Sequence, residues 1–449
     1  MRLYLILITG LLFLSEVSEA QDKWTLEQCI RYAVSNNLDL KITSIENEIK
    51  KEDLSQSKRN ILPSVSLSSG GNNSFGRSLD YTSYQYVNTS QFYSSLNISG
   101  GMDIFRGFIR QNTISLRKMA LLAGIEDEKQ LQYDIAFVVM GAYYNTLYYN
   151  GLAEIAAEQK ELSELNLKQT KKQAELGLKA KSDLLEMESR LAAEELSLIQ
   201  AQNHFKTELL RLRQAMNIEN TGEFEIDLQT PEVEITAGQA TTPSEIFETA
   251  THFYPALKAT EMRRNVAEKN ISLAKGQLWP RLSLSGAYAT NYASLKGQEN
   301  TASFQKQFKN NAYQYVGVSL TIPVFEQLGL RSGVKKARLN YLQAETELEK
   351  KSQLLYNEID QNYQQLESSL AEYNQLVKQV RFAQTAYEAA EKKLAQGLIS
   401  IIELYDSKNV LGQAKTDLLK TKLQYAIRKK TLDFYLGKPV FEVETSNAQ

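Results

Sequence analysis

Leu131-Gln-Tyr-Asp-Ile135-Ala-Phe-Val138-Val-Met-Gly-Ala142-Tyr-Tyr-Asn-Thr-Leu-Tyr-Tyr149-Asn-Gly-Leu152-Ala-Glu-Ile-Ala156 lies in the middle of a helical pattern that runs from about Thr113 to Leu176. The apolar positions Leu131, Ile135, Val138, Ala142, Tyr149, Leu152 and Ala156 form a heptad seam with one position missed. At ~1.5 Å per residue the stretch extends roughly 95 Å, several times the width of a small domain. The pattern turns at Glu175-Leu-Gly177-Leu178 and returns as a shorter helix to about Met216. One compact core cannot bury so long a seam, so the helix needs partners of comparable length.

The flanking sequence supplies them, and strands as well. Trp24 to Ser35 reads as a short amphipathic helix, Asn36-Asn37 interrupts it, and helix resumes from Leu38 to about Asn60 before Pro63. Ser64-Val-Ser-Leu-Ser-Ser then alternates polar and apolar residues at the strand period. Gly70 to Gln91 reads as a polar outer loop, and a second alternating run carries Phe92, Leu96, Ile98, Met102 and Ile104. Two ~10-residue strands joined by a long loop match a transmembrane β-hairpin.

The whole arrangement then recurs, the strongest signal in the chain. Shifted by 217 residues, Ile30–Ser69 aligns without a gap on Phe247–Gly286, with Pro63 meeting Pro280 and Ser66-Leu-Ser68 meeting Ser283-Leu-Ser285. Shifted by 220, Gly177-Leu178 meets Gly397-Leu398 and Leu184 meets Leu404. The second seam reads Ile359, Tyr363, Leu366, Leu370, Tyr373, Val377 and Val380. The chain therefore divides into a signal peptide at 1–20, a first repeat at 21–242 and a second at 243–449. The first holds a β-hairpin at about 62–105, a helical hairpin at 113–216 and a linker at 217–242. The second holds a β-hairpin at about 280–325, a helical hairpin at 333–436 and a C-terminal tail.

Composition narrows the function classes. Of 449 residues 43% are hydrophobic and 23% charged, which excludes a disordered chain. Lys+Arg at 51 nearly balance Asp+Glu at 53, which gives no sign of nucleic-acid binding. Arg2, the apolar run Leu3–Leu14 and Ser18-Glu-Ala20 form a cleavable export signal, and no later apolar run is long enough for a transmembrane helix. Cys29, the only cysteine, reads as a small apolar helix residue. His204 and His252 are the only histidines and lie apart, and no Gly-rich phosphate loop occurs. Nothing therefore points to a metal, a cofactor or an enzyme, and energy for any transport must come from a partner.

Four strands per chain cannot close a barrel, and an open edge in lipid leaves backbone amides unsatisfied at several kcal/mol each. If the hairpins enter a membrane, copies must join. Two would make a filled barrel and three a 12-stranded one wide enough for a channel, and duplication favours three. The competing reading is a secreted coiled-coil scaffold or adhesin whose strands are soluble.

The Trp24-Thr-Leu-Glu-Gln-Cys-Ile-Arg-Tyr-Ala opening, Leu62-Pro63-Ser-Val-Ser-Leu, Ile322-Pro-Val-Phe325 and the two Gly-Leu turns together resemble the TolC family of outer-membrane efflux and export ducts. The resemblance covers about residues 24–437. It implies a mainly α chain with a membrane β-barrel: a homotrimer whose 12-stranded barrel is continued by a periplasmic α-helical barrel. It also implies outer-membrane lipid, a periplasmic adaptor and an inner-membrane transporter as partners. Gly177, Leu178, Gly397 and Leu398 would be the adaptor-docking turns at the periplasmic mouth.

Each turn is followed by a pair of carboxylates, Asp183 and Glu186, then Glu403 and Asp406, on one helix face. Repeated around a narrow mouth they would form acidic rings that select cations, and the family places its constricting ring at the positions of the second pair. The alternative is that first-turn acids complement the helix dipole, and Ser400-Ile-Ile-Glu403 reads as a capping box. Leu394 and Ile399 stand where family members lock the mouth with a Tyr and an Arg. Tyr81, Tyr84, Tyr86, Phe92, Tyr93, Tyr288, Tyr292, Tyr313 and Tyr315 flank the strands as a candidate interfacial girdle.

Overall fold

The computed structural model describes residues 23–79, 84–218, 224–230, 241–296 and 302–439. The expected signal peptide, Tyr81, most of the linker and the end of the tail lie outside these. The elements in chain order are α1 (Leu26–Asn36), α2 (Leu38–Arg59), β1 (Ser64–Leu79), β2 (Tyr86–Arg106), α3 (Ile109–Glu175) and α4 (Lys181–Ala215). They continue as α5 (Pro243–Thr251), α6 (Pro255–Gly276), β3 (Arg281–Leu295), α7 (Phe304–Asn310), β4 (Tyr313–Thr321), α8 (Gly329–Ala395) and α9 (Ile401–Tyr435). Apart from α7 the second half repeats the order of the first. Matching capping boxes open α1 and α5: Thr25 with Gln28, and Thr242 with Glu245.

The residues group into two compact units, one of Ile42–Lys129 and Pro255–Gln353, the other of the segment through Lys41, Gln130–Tyr254 and the chain from Leu354. The first contains the sheet. Its strands run antiparallel in the order β1-β2-β3-β4. Directly opposed residues share a face, so the register sorts every side chain. One face carries the rows Leu282–Leu320, Met102–Leu284–Val318, Val65–Gly100–Gly286–Val316 and Leu67–Ile98–Tyr288–Gln314. The other carries Ser64–Gly101–Ser285–Gly317, Ser66–Ser99–Ala287–Tyr315 and Ser68–Asn97–Ala289–Tyr313. An apolar face thus backs onto one of serine, small residues and tyrosine. The expected girdle divides between them: Phe92, Tyr288 and Tyr292 belong to the apolar face, Tyr93, Tyr313 and Tyr315 to the serine-rich one.

The strands are longer than the alternation alone indicates. β1 has 16 residues and β2 has 21, so much of Gly70–Gln91, expected as loop, is paired strand. Its Ser, Gly and Asn residues weaken the period-2 signal while leaving the backbone ladder intact. β4 has only nine residues and begins opposite Ala289. Beyond that point α7 covers the edge of β3: the Gln307 side-chain amide accepts from Ala293 N–H at 3.1 Å and donates to its carbonyl at 2.9 Å. Asn311 Nδ2 donates to the Asn291 carbonyl at 3.0 Å. These amides supply the hydrogen bonds that a longer β4 would have made.

In the other unit, α1 packs Cys29, Ile30 and Ala33 against Ala136, Val139, Met140, Tyr143 and Leu147 of α3, Leu212 of α4 and Met216 just after it. Trp24 and Ile226, the latter in the linker, form a parallel bridge. Burial holds Cys29 as a thiol, its pKa pushed up to about 12. The first seam lies beside the expected one: Ile135 and Ala156 are buried, but Val138 is 61% exposed and Val139 and Met140 take its place. Further on, polar residues carry the α3 seam, namely Gln159, Ser163, Asn166 and Thr170. On α8, Ile359 is buried as expected, while Asn362 and Ser369 are buried in place of Tyr363 and Leu370. Small polar side chains let long helices approach closely and bond across the seam: Arg428 Nη1 donates to Asn362 Oδ1 at 2.9 Å.

Candidate functional site

The two helical turns are built alike. At the first, Leu178 N–H bonds the Gln173 carbonyl at 2.8 Å and Gly177 N–H the Ala174 carbonyl at 3.0 Å. At the second, Leu398 N–H bonds the Lys393 carbonyl and Gly397 N–H the Leu394 carbonyl, each at 2.9 Å. This is the Schellman arrangement, which needs a left-handed residue after the helix. Gly177 has φ +74° and Gly397 φ +72°, with open space where a Cβ would sit, so backbone conformation rather than crowding calls for glycine. The arrangement leaves Leu178 72% and Leu398 68% exposed at the two tips.

The four acids find different surroundings. The capping box at Ser400 is present: Glu403 N–H donates to Ser400 Oγ at 3.2 Å, and Ser400 N–H donates to Glu403 Oε1 at 3.3 Å. Glu403 is exposed as well as capping, and exposed Asp406 one turn later has no cation partner among the described residues. α4 starts differently, because Ala180 offers no side-chain cap. Asp183 is half-buried, and Glu186 is held by Arg190 at 2.7 Å. Of the four acids Glu186 alone is held in an ion pair among the described residues, and the second pair is the more exposed. Leu394 and Ile399 join an apolar cluster with Met187, Tyr387, Ile401, Leu404 and Leu411, so packing occupies the positions where a Tyr–Arg lock was absent.

Behind the acids lies a polar centre that sequence reading missed. Lys408 is fully buried. Its ammonium donates to the Gln159 carbonyl at 3.0 Å, Ser163 Oγ at 2.7 Å and Glu194 Oε1 at 2.6 Å, which uses all three N–H groups. Tyr405 O–H donates to the same Ser163 Oγ at 3.0 Å, and Arg190 lies 4.3 Å over the Tyr405 ring. Burial draws the Lys408 pKa below the ordinary lysine range, and the bond to Glu194 opposes the shift. The centre ties α9 to both α3 and α4 a short way from the turns. The signal was available: Ile401, Leu404, Lys408 and Leu411 step by three and four, which puts a lysine on a heptad seam.

No metal-binding group of His, Cys, Asp or Glu occurs among the described residues, and no helix there is long and apolar enough to cross a membrane. Residues 29–217 and 249–438 match the family model described as outer membrane efflux protein. The chain is similar to Outer membrane protein TolC of Escherichia coli, 22% identical over 94% of this chain and 83% of that one. It is also similar to Alkaline protease secretion protein AprF of Pseudomonas aeruginosa, 24% identical over 81% of this chain and 71% of that one. The crystal structure of the outer membrane protein VceC from Vibrio cholerae superposes with a TM-score of 0.75 at 16% identity, covering 92% of this chain and 94% of that one. The chain belongs to the outer membrane efflux protein family, and it is an outer-membrane channel protein that extends into the periplasm.

Proposed function

We propose that three copies of the chain form one duct, which conducts substrates passively from a periplasmic adaptor and an inner-membrane transporter to the exterior. The observation that carries this reading is the sheet. Its four strands have one apolar and one serine-rich face, and β1 and β4 each have an open edge. Hydrocarbon tolerates the apolar face but not the edges, so β4 of one copy pairs with β1 of the next until the ring closes. Twelve strands enclose water, which the serine-rich face lines.

In the same reading the helical turns form the periplasmic mouth. Exposed Leu178 and Leu398, each beside a glycine, present an apolar tip and bare backbone to the adaptor. Glu403 and Asp406, three copies each, make the mouth cation-selective, while Asp183 and Glu186 contribute less because Arg190 neutralises Glu186. Conductance of the purified protein in a planar bilayer tests the duct. Open channels with a cation preference that falls in Glu403→Gln and Asp406→Asn are expected. A protein that stays monomeric and soluble without detergent would remove the duct, and unchanged selectivity would remove the acidic ring.

A further inference from the structure

The apolar face of the sheet has an end. Its rows run from Leu282–Leu320 to Leu67–Ile98–Tyr288 and the half-apolar Ser69–Leu96–Thr290, about 27 Å along the strands at ~6.7 Å per row. Past that row, toward the loops joining β1 to β2 and β3 to β4, the same face changes character. Phe92, Tyr292 and Phe304 form an aromatic cluster with ring centroids 6.2 and 5.1 Å apart, and Phe308 stacks on Phe304 at 4.9 Å. These contacts hold α7 at the edge of β3 on its apolar side, and Thr290 Oγ1 pins it by donating to the Phe308 carbonyl at 2.6 Å. On a helical wheel Phe304, Gln307 and Phe308 face the sheet, which leaves Lys306 and Lys309 on the opposite side, both exposed.

Charge at this rim has one sign. Arg77, Lys296, Lys306 and Lys309 are exposed, and no carboxylate occurs among the described residues 69–79, 84–96, 290–296 and 302–313. Asp80 and Glu299 lie outside the described residues. The opposite end of the sheet is different: there Asp103 accepts from Arg281 at 2.8 Å. A solvated loop needs neither an excess of cations nor a helix fastened by two phenylalanines. A short helix with aromatic residues on its inner side and lysines on its outer side, set where an apolar band gives out, suits the boundary between acyl chains and headgroups.

We propose that this rim binds the phosphate groups of the outer-leaflet lipid, with α7 lying at headgroup level and Lys306 and Lys309 as the main contacts. The proposal rests on the membrane-inserted reading of the sheet. A cation near an anionic surface contributes roughly 1 kcal/mol, so losing two lysines costs about 30-fold in apparent affinity.

The test uses the full-length protein in detergent, with bis-phosphorylated lipid A and its dephosphorylated form as probes and bound lipid counted by native mass spectrometry. The wild type is expected to prefer the phosphorylated form, and Lys306→Gln/Lys309→Gln to lose that preference while Lys306→Arg/Lys309→Arg keeps it. Equal binding of the two lipids by the wild type, or an unchanged preference in the glutamine variant, overturns the proposal. A second measurement covers a variant that fails to fold. Cys29 is fully buried, so a nitroxide on Gln305→Cys is site-specific. Its relative collisions with oxygen and a nickel chelate in bilayers should place it at headgroup depth, and a fully aqueous label overturns the assignment. Failure of the membrane reading itself would look different, because the wild type would then remain soluble without detergent.

Discussion

Truncating Glu194→Ala should loosen α9 near the turn far more than removing the lysine it serves. The Lys408 side chain is 1% exposed and Glu194 18% exposed. Without the carboxylate, a buried ammonium keeps only two neutral acceptors, Gln159 carbonyl and Ser163 Oγ. Breaking a buried pair by removing one partner costs about 3–5 kcal/mol, and the partial hydration at Glu194 argues for the lower bound. Lys408→Met removes the charge altogether: Glu194 rehydrates and Ser163 keeps the Tyr405 bond, so about 1 kcal/mol is expected. The double variant should resemble Lys408→Met, leaving about 3 kcal/mol of coupling between the two sites. Amide hydrogen exchange across Ile401–Leu411 reads these values, since about 3 kcal/mol corresponds to roughly 100-fold faster exchange through local opening. Lys408→Met costing as much as Glu194→Ala would refute the reasoning, because the penalty would then be lost packing and not a stranded charge.

Ile98→Arg places a cation on the apolar face and should weaken membrane insertion by about 2–4 kcal/mol per copy, whereas Asn97→Arg on the serine-rich face should insert normally; insertion into vesicles compares them directly. Gly397→Val, forced to φ +72°, should cost about 1–2 kcal/mol or more at the turn and abolish efflux while the proposed trimers survive on a native gel. Loss of the trimers as well would make the turn a folding element only. Alkaline pH should unfold the helical unit: Tyr144 and Tyr254 are raised by burial from 10.0 to about 12, and Cys29 from 9.0 to about 12. The native state holds these protons more tightly, so the stability is complete below pH 9 and is lost as pH rises toward 12. Tyrosinate absorbance rising together with loss of helical circular dichroism checks this, and tyrosinate forming near pH 10 with the helices intact would contradict it.

The duplication, the element order, the turn glycines and the segregated faces of the strands were legible in the residues, because each rests on a period or a backbone demand that survives without tertiary information. What escaped has a common cause. A search for apolar seams passes over Gln159, Ser163, Asn166, Thr170, Asn362 and Ser369, although these are the residues the long helices bury. Lys408 escaped for the same reason, and its three acceptors come from α3 and α4, far away in sequence. The extra length of β1 and β2 escaped because Ser, Gly and Asn have little strand preference, and cross-strand pairing overrides it. α7 follows from the shortness of β4, a mismatch that single segments do not reveal.

That mismatch would also shape the outer lip of the proposed closed ring. β4 offers nine residues to the neighbouring copy and β1 has 16 to match. In a ring of three copies the upper part of each β1 would stand without a neighbour at three places, and its free amides would be met by water or headgroups. In the proposed ring the wall would be notched at those three junctions, and the lip could splay there without breaking an interstrand bond.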